Sequence, residues 1–235
     1  MGGCLSNNAT SGKKFKLGSN KDYYSRSKAT NLTAEEIEAR SQFDHKKPCK
    51  EKIKQAGEIL KKELGIDFQK LINECEDLVF PPDDISSYEY ELFLEINIMR
   101  TNPEKFVSYI LDNYITKFSN SEEDKFKETC SHLKSMMKLK PVKWDPRIES
   151  SIADYQDKES DITERLEKLG INREVLSTEV LLKGSKFAFE TLCNLLKSTD
   201  DDKNLEKEKL LFSMFRNIAI GCTDKLDVAI VLTND

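Results

Sequence analysis

Apolar residues recur along most of this chain at helical spacing and change to strand-like runs only near its end. Ile53, Ala56, Leu60 and Leu64 fall three or four positions apart, which places them on one face of a helix. That helix is predicted from about Pro48 and is stopped by Gly65, a residue suited to the left-handed turn past a helix end. Ahead of it, Thr33-Ala34-Glu35-Glu36 reads as a capping box that opens a short helix to about Phe43. Asp67 is placed to cap a further helix carrying Phe68, Leu71, Ile72 and Cys75. Pro81-Pro82-Asp83-Asp84 is a turn and a predicted boundary.

From Ser86 the helical spacing resumes, with Tyr88, Leu92, Ile96 and Met99 on one predicted face. Asn102-Pro103 ends that helix and starts another, with Phe106, Val107, Ile110 and Tyr114 inward. A charged amphipathic helix follows over roughly Glu122–Leu139. Residues 140–146 form an extended link, in which Asp145 caps the next helix and Pro146 fits its first turn. Ile148, Ile152 and Tyr155 face inward there, and Asp161 with Glu164 starts a short helix that Gly170 ends. Asn217–Cys222 and Asp227–Leu232 are β-rich runs joined by a four-residue turn, a hairpin. Val228–Leu232 is apolar on both faces, as in a central strand covered on both sides. Residues 175–182 supply another strand. The expected fold is α/β, a three-layer α-β-α sandwich around a small sheet. It divides into a disordered tail over 1–32, a helical extension over 33–85, and the sandwich over 86–235.

Charge sharpens the tail. Residues 1–28 hold six basic residues and one acid, a net of +5, while the whole chain carries −5, leaving −10 for the rest. A basic tail on an acidic body points to a membrane surface. The tail begins Met1-Gly2-Gly3-Cys4-Leu5-Ser6, a pattern that suits N-myristoylation of Gly2 once Met1 is removed. One acyl chain gives marginal binding, so stable anchoring needs a second signal. Cys4 offers a palmitoylation site, and Lys13, Lys14, Lys16 and Lys21, with Arg26 and Lys28, offer attraction to an anionic leaflet. Phosphates on Ser19, Ser25 or Ser27 would weaken that attraction. No apolar run approaches the about 20 residues that span a bilayer, and no apolar stretch after Met1 marks a secretory signal. The expected place is therefore the cytoplasmic face of a membrane. Anionic membrane lipids are the expected partner and a protein the second; no nucleic acid and no cofactor are implied.

The chain's six cysteines are scattered with no Cys-x-x-Cys pair, and its two histidines, His45 and His132, have no matching metal-site halves. In the order of its later elements the chain resembles the CAP (SCP-like) superfamily of cysteine-rich secretory, antigen 5 and pathogenesis-related proteins. The resemblance runs over residues 92–233. It rests on Phe93-Leu94-Glu95-Ile96-Asn97-Ile98-Met99-Arg100, on Pro141-Val142-Lys143-Trp144-Asp145-Pro146, on Asp161–Gly170 with Arg165-Leu166, on the helix-like segment Phe189–Ser198, and on Asn217–Cys222 with Asp227–Thr233. Glu179 falls where the family carries a cleft glutamate. The family's cleft often adds two histidines and a second acid able to hold a divalent metal. The stretches that would carry those histidines read Gln156–Ser160 and Asp200–Lys209 here, and hold none. The resemblance thus implies a CAP-like fold without its cleft chemistry, in a family that includes an intracellular myristoylated member. Glu179 is the one weak catalytic candidate. A buried, hydrogen-bonded structural role is favoured for it, and core plugging for Trp144. Asp200–Asp202 reads as a solvated acidic loop. The leading function is a non-catalytic, membrane-anchored protein acting through protein or lipid contacts. The alternatives are a divergent hydrolase or metal-dependent enzyme using Glu179, or a sterol- or fatty-acid-binding module.

Overall fold

The computed structural model describes Tyr23 and residues 33–118, 123–153, 161–197, 201–223 and 225–234. The first helices form where the apolar spacing places them: α1 over Ala34–Ser41, α2 over Lys50–Leu64 and α3 over Phe68–Glu74. Helix α2 buries Ile53, Ala56, Leu60 and Leu64. It ends at Gly65, whose φ of 78° is the left-handed conformation that glycine adopts without a Cβ penalty. Asp67 caps α3 by accepting from the Lys70 amide at 3.0 Å.

Helix α4 (Ser87–Thr101) departs from the single inward face predicted for it, because every one of its residues is buried. Ser86 and Glu89 open it with a capping box, a Ser-x-x-Glu signal that the apolar spacing had masked. The chain then runs through α5 (Pro103–Lys105), a π-helical stretch over Phe106–Leu111, and α6 (Asp112–Phe118). Phe106, Val107, Ile110 and Tyr114 are buried, as their spacing predicts. Helix α7 covers Asp124–Ser135.

Strand β1 (Lys143–Trp144) lies inside the link predicted only as extended. Helix α8 (Pro146–Ala153) follows, with Asp145 accepting from the Arg147 amide at 2.8 Å. Helix α9 (Ile162–Lys168) has Asp161 before it, but without the expected side-chain cap. Strand β2 (Ser177–Lys183) and helix α10 (Ala188–Lys197) come next. Helix α11 (Asp201–Leu211) takes in Asp201 and Asp202 of the predicted acidic loop, since these two acids lead directly into a run of Lys, Glu and Leu. Strands β3 (Asn217–Cys222) and β4 (Asp227–Thr233) form the predicted hairpin.

The sheet order is β1-β3-β4-β2, with β4 antiparallel to both neighbours and β1 parallel to β3. Val228–Leu232 of β4 is buried at every position, so both faces of the central strand are covered. Helix α8 packs on β3 and β4, while α4 packs on β3 and α10 on α4. Helix α2 lies on α4 in turn, and its apolar face belongs to the same core as the sheet. The molecule is mixed α/β with a small four-stranded sheet, an arrangement compatible with the expected sandwich. Among the described residues no helix is long and apolar enough to cross a membrane.

Candidate functional site

Glu179 lies on β2, at the edge of the sheet. Helix α9 brings Arg165 to it, and the guanidinium Nη2 donates to Glu179 Oε1 at 2.7 Å. Arg165 is only 4% exposed and also donates to the Ser151 carbonyl at 3.1 Å, which fixes its direction. From α11, Lys209 Nζ donates to the Glu179 main-chain carbonyl at 3.0 Å and to Glu206 Oε1 at 2.7 Å. The carboxylate is therefore one half of a largely buried ion pair, oriented by a residue that is itself fixed. No imidazole or second carboxyl group is among the hydrogen-bond partners of Glu179 described here. Among the described residues no group of three His, Cys, Asp or Glu side chains is placed to hold a metal ion.

Two polar residues of the α4 motif, Asn97 and Arg100, join segments. Asn97 accepts from the Val142 amide at 2.9 Å and donates to the Val142 carbonyl at 3.1 Å, so it pairs with that peptide as a strand would. Arg100 donates to the carbonyls of Leu210 at 2.5 Å, Phe212 at 3.2 Å and Phe215 at 3.3 Å, closing the segment between α11 and β3. Burial, with the like charge of Arg216 nearby, pushes the Arg100 guanidinium down to about 10. Trp144 is 2% exposed, packs on Phe93 and donates through Nε1 to Glu149 Oε2 at 3.0 Å, which makes it a core residue with its one donor satisfied.

His45 and His132 remain apart from Glu179 in role. His132 is exposed on α7. His45 packs on Phe43, and burial pushes its imidazole below the ordinary range. It lines a polar groove of about 640 Å³ shared with Trp144, Asp145 and Arg147. Cys193 is fully buried, and burial pushes its thiol well above the usual range, which disfavours a nucleophilic thiolate.

The strongest electrostatic anomaly is one that sequence reasoning missed. Glu91 and Glu95, one helical turn apart on α4, are both fully buried. Neither oxygen of Glu95 and only one oxygen of Glu91 has a hydrogen-bond partner. That partner is the Tyr23 hydroxyl, which donates to Glu91 Oε2 at 2.7 Å. Desolvation pushes Glu91 up to about 8 and Glu95 well above the carboxylate range, and the charge of Glu91 raises Glu95 further. Both carboxyls are therefore favoured in their protonated form at neutral pH. The missed signal was present in the sequence: two glutamates four positions apart, flanked by Tyr90, Leu92, Phe93, Leu94 and Ile96, leave no polar face for them to occupy.

Gly2, Cys4, Lys13, Lys14, Lys16 and Lys21 lie outside the described residues, as do Ser19, Ser25 and Ser27. So do Tyr155, Gln156–Ser160 and Asp200. Neither a family model, a curated protein nor a solved structure matches the chain.

Proposed function

We propose that this chain is a membrane-anchored, non-catalytic CAP/SCP-like protein that acts through protein or lipid contacts at the cytoplasmic face of a membrane. The observation that carries the non-catalytic half is the Glu179–Arg165 pair, closed at 2.7 Å with Lys209 on the main-chain carbonyl of Glu179. In the CAP-like reading, α9 and α11 adjoin the two stretches that would carry cleft histidines. Both helices reach Glu179, and they bring a guanidinium and an ammonium group in place of imidazoles. A site so arranged lacks a neutral-pH proton carrier and a soft metal ligand. The CAP-like reading is also supported by Asn97 and Arg100, the polar residues of its first-helix motif, which join α4 to the chain on either side of the cleft elements.

The anchoring half rests on Gly2, Cys4 and the basic run of Lys13, Lys14, Lys16 and Lys21. Myristate alone binds reversibly, while each basic residue near an anionic leaflet adds roughly 1 kcal/mol. The test is the partition of the full chain between cytosol and membranes in cells that carry myristoyltransferase. The wild-type chain is expected in the membrane fraction with an acyl mass on Gly2. The Gly2→Ala variant is expected in the soluble fraction. A Gly2→Ala variant that stays on membranes, or an N-terminus bearing Met or acetyl in place of acyl, overturns the anchor. Bound metal in the purified protein, together with hydrolytic activity that Glu179→Gln abolishes, overturns the non-catalytic reading.

A further inference from the structure

Helix α10 begins in the core, so its first amides need tertiary partners. The first intrahelical bond runs from the Thr191 amide to the Phe187 carbonyl, leaving Ala188, Phe189 and Glu190 ahead of it. The Ala188 amide donates to the Tyr23 hydroxyl at 3.4 Å, and the Phe189 amide lies close enough to the Glu91 carboxyl to lower its proton affinity. Tyr23 is 4% exposed, 64 residues before the start of α4 at Ser87, with its ring edge-on to Tyr88 at 5.6 Å. Its hydroxyl therefore completes two unfinished structures, the start of α10 and the carboxyl of Glu91. Behind them sits Glu95, fully buried, with both oxygens unpartnered.

We propose that the Glu91–Glu95 pair and the first turn of α10 form a seat for the Tyr23 phenol, a protonation-controlled latch that fastens the N-terminal tail to the body. The titratable groups facing the seat are Tyr23 itself, Glu91 and Glu95 from α4, Cys193 and Glu190 from α10, and Cys130 of α7 behind Cys193. No cation is among the groups that act on either carboxyl. With two protons on the pair the site is neutral, with one it carries a single charge, and in either case it stays dry. When both carboxyls ionise, two like charges lie in a water-free site and must be hydrated. The two glutamates belong to a helix buried along its whole length, so they have no route to water through α4. Among the described residues the phenol is the group in contact with the Glu91 carboxyl that belongs to neither α4 nor α10, and its departure admits water. Where Gly2 is acylated, a closed latch limits the tether to residues 3–22, at most about 70 Å when fully extended. The latch itself does not depend on acylation.

Hydrogen exchange of the unacylated full chain tests it, read as protection factors so that the intrinsic pH dependence of exchange is removed. At pH 6 the Tyr23→Phe variant is expected to lose at least tenfold protection at Ala188 and Phe189, with Ala56 and Leu60 of α2 unchanged. Between pH 6 and pH 9 the wild-type chain is expected to lose tenfold or more at the same two amides. Glu95→Gln, which cannot ionise, is expected to hold its protection across that range. Glu91→Gln serves the same comparison should Glu95→Gln fail to fold by circular dichroism. Equal protection in wild type and Tyr23→Phe at pH 6 overturns the seat. Wild-type protection that is unchanged between pH 6 and pH 9 overturns protonation control. Neither outcome bears on membrane partition, so the latch and the anchor fail separately.

Discussion

A carboxyl group buried with no donor in reach costs the fold free energy, and Glu95 is such a group. Replacing it by methionine, of similar length and apolar, removes the unpartnered oxygens and the second carboxyl of the pair. The variant is expected to be more stable than wild type by roughly 1–3 kcal/mol at pH 5, where the carboxyl is protonated in the folded state and its unpartnered oxygens are the main cost. The sign of the pH dependence follows from protonation. Glu91 and Glu95 keep their protons in the folded state and lose them in the unfolded state at ordinary carboxylate pH. The unfolded chain therefore binds fewer protons, and stability falls as pH rises above about 4.5. For Glu91 the decline continues to about 8, and for Glu95 beyond it. Each retained proton gives a slope of about 1.4 kcal/mol per pH unit. Urea unfolding of wild type and Glu95→Met at pH 5 and pH 7 checks this. The stability gap is expected to widen with pH, and a gap that stays constant would show that the pair ionises together in both states.

At the scale of elements, the packing of α8 on the hairpin is set by a missing side chain. A Cβ on Gly221 of β3 would fall 2.3 Å from Ile152 Cγ2, well inside contact distance. Gly221→Ala is expected to cost about 1–3 kcal/mol by overpacking. Leucine has no Cγ2, so Ile152→Leu is expected to recover part of that cost, with a coupling of about 1 kcal/mol or more in the double-mutant cycle. Additive effects would show that α8 moves freely over the sheet. This contact also marks what a sequence discloses. The face of α2 and its stop at Gly65 were legible because both follow from local spacing and backbone conformation. The β3–β4 hairpin was legible because its runs and turn are contiguous. Strand β1 was not, because two residues become a strand only by pairing with Asn217 and Ile218, over 70 positions later. The same limit applies to the candidate site. Glu179 could be singled out in the sequence, but its pairing with Arg165 depends on how α9 lies against β2. The acids of α4 were misread for a different reason: the one-face pattern of Tyr88, Leu92, Ile96 and Met99 implied a polar face, and the helix has none.

For the whole molecule, the consequence of a fully buried central helix is that the first helices are part of the body. Helix α2 covers α4 with Ile53, Ala56, Leu60 and Leu64, and α3 adds Phe68 and Leu71 to the same core. Polar contacts fix the two in register: the Cys49 amide donates to Tyr90 Oη at 2.9 Å, Ser87 Oγ to Gln55 Oε1 at 2.5 Å, and Lys52 Nζ to the Ile85 carbonyl at 2.9 Å. Burying a large apolar side chain is worth roughly 1.5–3 kcal/mol. Five such residues on α2 and α3 therefore represent on the order of 10 kcal/mol, comparable to the whole stability of an ordinary domain. A chain beginning at Ser86 would keep every residue of the CAP-like resemblance and still expose the side of α4 that α2 covers. It is expected to lose cooperative unfolding and near-ultraviolet circular dichroism, to bind a hydrophobic dye, and to aggregate. A separate peptide of residues 33–85 added during refolding is expected to restore the cooperative transition, because the missing layer is a continuous segment. A Ser86-initiated chain that unfolds in one sharp transition with a wild-type midpoint would place the first helices outside the folding unit. They would then be free to serve a partner in place of the core.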